Sequence, residues 1–271
     1  MCSEVRAKVE AVTDAVSVLE DSKPEKFSRL KSLLKQLLEH EDSTKMFSMV
    51  TETWNPVTGC EHSCTYCWAR RLAETRLRNS KRYSNGFIPR LNREELNKKF
   101  RGGVVFVSDM GDLFGEFVPD EWIETVLKHA GKFSSTLFLF LTKNPSRYLD
   151  FNFPENAILG ATIETDRNEI YKISKAPKPG ERIKAMFELD WDMKFLSIEP
   201  ILDFSPKFWR KIEKINPLMI YIGYDNYNCR LPEPALDKTL SLIKKLRDSG
   251  FLVFEKTIRR AWYEDSQLHE F

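Results

Sequence analysis

The chain of 271 residues is 42% hydrophobic and carries 42 Lys and Arg against 40 Asp and Glu, for a net charge of +2. That is length enough for one sizeable core with an appendage, and the near balance of charge excludes a whole-protein electrostatic argument for nucleic-acid or membrane binding. No apolar run is long enough to span a bilayer and the opening MCSEVRAKVEAV lacks an apolar signal core, so the five cysteines point to metal or redox chemistry in a reducing cytoplasm rather than to a disulfide framework.

Residues 1–45 read as a helical hairpin set apart from a main domain over 46–271. Val5, Val9, Val12, Val16 and Leu19 recur at steps of three and four, one helical stripe. Pro24 opens the second helix, in which Phe27, Leu30, Leu33, Leu34, Leu37 and Leu38 form a broader apolar face. Such a hairpin either packs on the main domain or serves as a dimerisation or partner-docking element.

An alternating strand is expected over Phe47–Thr53, feeding the stretch TWNPVTGCEHSCTYCWARR. Here Cys60, Cys64 and Cys67 stand at C-x3-C-x2-C, with Tyr66 just before the last. Three neighbouring thiols cannot all pair as disulfides, and no fourth cysteine or ligand-spaced histidine follows to close a tetrahedral zinc site. An iron–sulfur cubane suits the count: its irons take thiolates, and three thiolates leave one iron open for a substrate or cofactor. His62, between two cysteines, reads as a ligand itself, as a donor behind the ligands or as an exposed loop residue.

After Cys67 the pattern turns helical. Arg70, Arg71, Arg76, Arg78, Lys81 and Arg82 give either a solvated helix face or a basic rim for a phosphate-bearing substrate. Asn85-Gly86 is a turn signal, and residues 92–100 read as a short helix. Strands are then expected over Val104–Ser108, Leu137–Leu141, Ile158–Ile163, Phe195–Ile198, Leu218–Ile222 and Phe251–Phe254. Helices are expected over Pro119–His129, Glu181–Leu189, Pro206–Ile215 and Leu236–Ser249, the last capped by Gly250. Pro145–Leu149 reads as a short helix or turn, Asn168–Ser174 as a short helix and Lys175–Gly180 as a connection. Alternation of this kind implies parallel strands joined by right-handed crossovers. Spacing alone allows an eight-unit barrel or an open doubly wound sheet.

Polar residues recur after these strands, where parallel α/β folds gather their reactive groups. They are Ser108 to Asp112, Thr142-Lys143-Asn144, Thr162 and Glu164, Ser197 and Glu199, Tyr224-Asp225-Asn226, and Glu255-Lys256. Lys256 either neutralises a substrate phosphate or carboxylate or lies at the surface, and Arg259 and Arg260 extend this basic ending. Cys229 reads as packing, or as a hydrogen donor or ligand of a second cluster; Cys2 lies near a terminus and is set aside.

The cysteine spacing with its preceding aromatic resembles the cluster loop of the radical S-adenosylmethionine (SAM) superfamily. WNPVTGC and YCWARR, followed by VVFVSDMGDLFG, FLFLTKNPSRY, ILGATIET and KFLSIEPIL, resemble a branch found in bacteria, archaea and phages, distantly like spore photoproduct lyase. The likeness runs from about Met46 to Lys256. It implies an α/β fold, a partial (β/α)6 TIM-like barrel with one extra C-terminal strand. It implies a [4Fe-4S] cluster on Cys60, Cys64 and Cys67, with SAM on the open iron. Position then implies SAM contacts from Tyr66 near the adenine, from Asp109, Gly111 and Asp112 at the ammonium, and from Thr162, Glu164, Ser197 and Glu199 at the ribose and carboxylate. The stretch Ser108 to Asp112 departs from the usual Gly-Gly-Glu-like motif, and FEKTIRR departs from the branch's usual ending.

The implied chemistry is reductive cleavage of SAM to methionine and a 5′-deoxyadenosyl radical, which takes hydrogen from a bound substrate. It implies an electron donor such as a flavodoxin or ferredoxin. The substrate stays open, with nucleic acid or another phosphate-bearing molecule among the options. The competing readings are a non-catalytic zinc or iron–sulfur module acting through a partner protein, and a barrel kept for docking.

Overall fold

The computed structural model describes residues 47–264, and the hairpin expected over 1–45 lies outside them. Strand β1 (Glu52–Trp54) leads into a short ribbon of β2 (Val57–Thr58) and β3 (Arg90–Leu91), with helix α1 (Trp68–Glu74) between them. Strand and helix then alternate through β4 (Val104–Val107), α2 (Asp120–Ala130), β5 (Leu137–Thr142) and β6 (Ala157–Thr162). The series continues with α3 (Pro179–Glu188), β7 (Lys194–Ile198), α4 (Phe208–Ile215), β8 (Met219–Ile222), α5 (Leu236–Asp248) and β9 (Leu252–Glu255). One sheet orders them β1-β4-β5-β6-β7-β8-β9, and every neighbouring pair is parallel.

The strand sequences are apolar along their whole length because both faces are covered. Val105, Val107, Phe138, Phe140, Leu159, Leu196 and Ile220 meet the helices, whose contributions include Ile123, Val126, Met186, Ile212, Ile215, Leu242 and Leu246. The alternate residues Val104, Phe106, Leu139, Ile158, Phe195, Tyr221 and Leu252 form a second core on the opposite face, joined by Phe47 and Met49.

That second core shows that the sheet curls. The Phe47 ring lies 5.5 Å from Phe106 on β4, 5.0 Å from Phe195 on β7 and 5.0 Å from Tyr221 on β8. In a flat sheet β4 and β8, four strands apart, would be separated by roughly 19 Å. One ring touching both means that the sheet wraps around it, which is the curvature of a partial barrel. β1 and β9 remain the unpaired edges of this sheet among the described residues.

The strand expected over Phe47–Thr53 is shorter than its alternation suggested. Phe47 to Val50 is a turn, closed by Val50 N–H to Phe47 O at 3.0 Å, and only Glu52–Trp54 is strand. Phe47, Met49 and Val50 are all buried, so both parities point inward and the period of two carries no meaning there. The short helix expected over Asn168–Ser174 is instead a succession of turns, and that over 92–100 is a 3-10 turn at Arg93–Asn97. The remaining helices and strands fall within about two residues of expectation, the usual uncertainty at ends. No helix among the described residues is long and apolar enough to cross a membrane.

Candidate active site

β1 delivers the cysteine loop to the carboxyl ends of the sheet. Asn55, just past β1, ties it to the chain after β4: its Oδ1 accepts from Met110 N–H at 3.0 Å and its amide donates to Asp109. Gly59 then forms a bridge with Gly111, its N–H donating to Met110 O at 2.9 Å. Gly59 has φ +87°, and a Cβ on it would lie 2.1 Å from the backbone oxygen of Ile88. Gly59→Ala is therefore expected to cost about 3 kcal/mol in urea unfolding, strain and clash together. Gly86→Ala, at φ +84° with nothing within 4 Å of the added Cβ, is expected to cost about 1 kcal/mol and serves as the control.

The loop is pinned from several sides. Cys60 N–H donates to Phe87 O at 3.2 Å, and Arg70 reaches back to Cys60 O at 2.6 Å. Thr65 N–H donates to Ile173 O at 2.9 Å, and Lys175 N–H to His62 O at 2.6 Å. The Cys64 thiol donates to Ser174 Oγ at 3.1 Å. Cys67 caps α1, its sulfur accepting from Arg70 N–H at 3.3 Å. Burial pushes the Cys60 and Cys67 thiols up, with the Asp112 carboxylate adding to the effect at Cys60. A metal that takes these sulfurs must displace their protons.

A cavity of about 550 Å³ opens above the sheet. Its walls bring together Cys60, Cys64, Tyr66, Cys67, Asp109, Gly111, Asp112, Thr162, Ser197 and Glu199, with Lys143, Asp225 and Lys256 besides. Of the cluster and SAM-contact residues expected from sequence, Glu164 alone is absent from the wall. Asp112 lines the cavity with its acceptor positions taken. His62 Nε2 at 2.9 Å and Lys143 N–H at 2.9 Å meet one oxygen, Thr142 Oγ1 at 2.6 Å and Phe114 N–H at 3.1 Å the other. Burial would raise Asp112, but His62 and these donors outweigh it and hold the carboxyl below its ordinary range. Asp112 thus fixes His62 and the cysteine loop to the ends of β4 and β5, and no acceptor remains for an ammonium.

Glu164 is fully buried behind Tyr66. One oxygen accepts from Lys143 Nζ at 2.6 Å, from Tyr171 OH at 3.1 Å and from Tyr66 OH; the other accepts from Arg182 at 2.7 Å. Arg182, also fully buried, donates further to Pro177 O and Thr162 O, each at 2.8 Å, and to Tyr171 OH. Burial alone would raise the Glu164 carboxyl; Arg182 and Lys143 overcome it and lower it from 4.5 to about 2. A depressed carboxyl stabilises the fold above its unfolded value and ceases to do so as pH falls through its folded value. Stability worth about 3 kcal/mol should thus be lost between about pH 5 and pH 2. Urea midpoints across that window should fall more steeply, by one proton's worth, than those of Glu164→Gln.

Lys143 was visible in the sequence only as one polar strand end, and Arg182 not at all. A charged residue in an amphipathic helix pattern reads as solvent-facing, and its partner lies 18 positions away. His62 is buried and hydrogen-bonded to Asp112 rather than exposed. The basic segment divides: Arg70 pairs with Glu74 at 3.2 Å, Arg82 pairs with Glu95 at 2.9 Å, and Arg71 lies 4.7 Å over the exposed Tyr227 ring at the cavity rim. It is not one free basic face. Cys229 is not among the residues lining the cavity, though its N–H donates to the lining residue Asp225 at 2.6 Å.

The donor set fits an iron–sulfur cluster. Three free thiols from one loop share one cavity wall, and Ser108 Oγ, buried in the same wall, has no protein partner. The separate irons of a cluster each take one thiolate, and three free thiols on one short loop supply that donor set.

The profile of a family described as "Protein of unknown function (DUF5131)" matches residues 44–208. No curated protein matches the chain. Among solved structures it is similar to a spore photoproduct lyase in which one cysteine is replaced by serine, at 10% identity and a TM-score of 0.51, covering 75% of this chain and 76% of that one. A second is a doubly substituted spore photoproduct lyase with bound AdoMet and dinucleoside spore photoproduct, at 14% identity and TM-score 0.44, covering 63% and 55%. A third is Streptococcus suis SuiB bound to S-adenosylmethionine, at 10% identity and TM-score 0.44, covering 85% and 55%. The chain thus spans only 55% of these last two. At such identities the first likeness is one of fold.

Proposed function

The chain belongs to the family described as "Protein of unknown function (DUF5131)", and from that premise we propose that it is a radical SAM enzyme. One observation carries the reading: three free thiols at C-x3-C-x2-C line one wall of a cavity ringed by the carboxyl ends of parallel strands. The fold likeness to spore photoproduct lyase, a radical SAM enzyme, supports it.

In this reading Cys60, Cys64 and Cys67 hold a [4Fe-4S] cluster. Bound with SAM and reduced by a donor such as a flavodoxin or ferredoxin, the cluster supplies one-electron cleavage to a 5′-deoxyadenosyl radical and methionine. The chain's own residues position the reactants. Asp109, which lines the cavity, takes the SAM ammonium with the backbone about Gly111; burial raises its carboxyl and the Asn55 amide restrains that rise. Thr162, Ser197 and the unpartnered Ser108 hydroxyl offer hydrogen bonds to the ribose and carboxylate. Tyr66 sets the adenine side, its hydroxyl anchored by Glu164 and Lys143. Asp112 and Glu164 are positioning residues, each binding the cysteine loop to the sheet. A nucleic-acid substrate would bring its backbone to the rim at Arg71 and the exposed arginines that follow.

The test is anaerobic reconstitution with iron and sulfide, then dithionite and SAM, with chromatography of 5′-deoxyadenosine. The expected result is four irons and four sulfides per chain and nucleoside formation that requires dithionite. Zinc without sulfide, bound at the same cysteines, would overturn the reading in favour of a structural metal module.

A further inference from the structure

Lys256 and Glu199 form an ion pair that the cysteine end of the cavity does not use. Lys256 follows β9 and Glu199 follows β7; their contact is 2.6 Å, and both line the cavity. The ammonium also lies 5.2 Å over the Phe47 ring. Gly223 makes room between them, since a Cβ there would lie 3.0 Å from Lys256 Cβ and 3.3 Å from Glu199 Oε1. The side chains keep 19% and 16% of their exposure, so the pair is held yet reachable. An ammonium has three donors and a carboxylate two oxygens. Among the described residues this contact uses one of each, leaving donors on Nζ and the acceptor Oε1 for a ligand.

The charge of the cavity selects what that ligand is. Its wall carries Asp109, Asp112, Glu199 and Asp225 against Lys143, His62 and Lys256; Lys143 is already committed to Glu164 and His62 to Asp112. A phosphate or carboxylate seated on Lys256 would draw it from Glu199 and leave a carboxylate unpaired beside a second anion. A neutral group with N–H and C=O on one edge satisfies both partners without parting them. An open-chain secondary amide is trans and points its N–H and C=O in opposite directions; a ring amide presents them side by side. Trp68 and Tyr227, which are not buried and line the same cavity, offer ring surface to a heterocycle.

We propose that the Lys256–Glu199 pair is the substrate-recognition site and that it reads the cis-amide edge of a lactam or imide heterocycle of the nucleobase class, accepting its N–H at Glu199 and donating to its C=O from Lys256. This rests on reading the cavity as a joint cofactor and substrate pocket, and it replaces two expectations from the sequence: Glu199 as a SAM contact, and Lys256 as a partner for a substrate phosphate or carboxylate.

The experiment is isothermal titration of the reconstituted, SAM-bound protein with uridine against N3-methyluridine and inosine against N1-methylinosine, the methyl group removing the N–H. At least one unmethylated probe is expected to bind about tenfold or more tighter than its methylated partner. Glu199→Leu, which removes the acceptor, is expected to bring that ratio close to one, whereas Lys256→Met is expected to weaken the unmethylated and methylated probes alike by about tenfold. A ratio near one for both pairs in the wild type would overturn the proposal. So would inorganic phosphate binding that Lys256→Met abolishes, or a SAM affinity that falls with the probe affinity in both variants, which would place the pair on the cofactor. Single-stranded oligouridylate distinguishes the source. Per-base binding tighter than uridine upholds the edge within a strand; equal binding upholds it on a free nucleoside. Discrimination among probes needs no SAM cleavage, so failure of the radical reading and failure of this one are told apart.

Discussion

Replacing Cys60, Cys64 or Cys67 singly by alanine is expected to reduce 5′-deoxyadenosine formation to background, whereas Cys229→Ala retains it. The three thiols are partly buried, free, and carried on one wall of the cavity. Removing any one leaves two soft donors for a cluster that needs three to be held with one iron open. The fold itself should survive. Cys60 and Cys67 are only partly buried against the small cluster of Ala69, Ala73, Tyr83, Phe87 and Met110. Deleting one sulfur from such a site costs about 1 kcal/mol, so the cluster-free variants should melt close to the cluster-free wild type. The three losses should also be equal, because they remove one assembly rather than three contributions. A variant that lost stability and activity together would report an unfolded loop. One that kept nucleoside formation would remove that cysteine from the ligand set.

How much of this was readable in the chain follows from the range of each interaction. The strands were legible because a parallel strand covered on both faces must be apolar throughout, as VVFV and LFLFLT are. The cysteine loop was legible because its chemistry lies within eight positions. What stayed hidden depends on partners distant in sequence. Asp112 was read as an acceptor for a ligand, yet it is occupied by His62, 50 positions away, and by Thr142, 30 positions away. Glu164 was placed at the cavity by its strand-end position. The chain passes the last strand residue, Thr162, before reaching it, and the side chain turns to Arg182 on α3 instead of to the cavity. Phe47 was misread for the opposite reason: a local alternation resembled a strand while the curled sheet supplied apolar neighbours on all sides.

The hidden network is also where a single substitution should damage the fold most. Arg182→Met is expected to destabilise the protein by about 3–5 kcal/mol, read as a fall in the urea midpoint with little change in slope. The guanidinium is fully buried and serves Glu164, Tyr171, Pro177 O and Thr162 O at once. Methionine fills much of the space but leaves two carbonyls without a donor and Glu164 with Lys143 as its remaining cation. Arg182→Lys should recover little, because one ammonium on a flexible stem cannot reproduce a planar fork directed at four acceptors. The double variant Arg182→Met/Glu164→Gln separates charge from packing. If the cost is mainly the carboxylate left short of positive charge, the second substitution should restore a large part of the stability, a coupling that two unconnected sites would not show. The network also holds the Tyr66 hydroxyl, one residue from Cys67, so Arg182→Met should slow cluster assembly at temperatures where it is still folded. A loss below about 1 kcal/mol, with normal assembly, would mean that Lys143 and Tyr171 suffice to hold Glu164, and that Arg182 contributes packing alone.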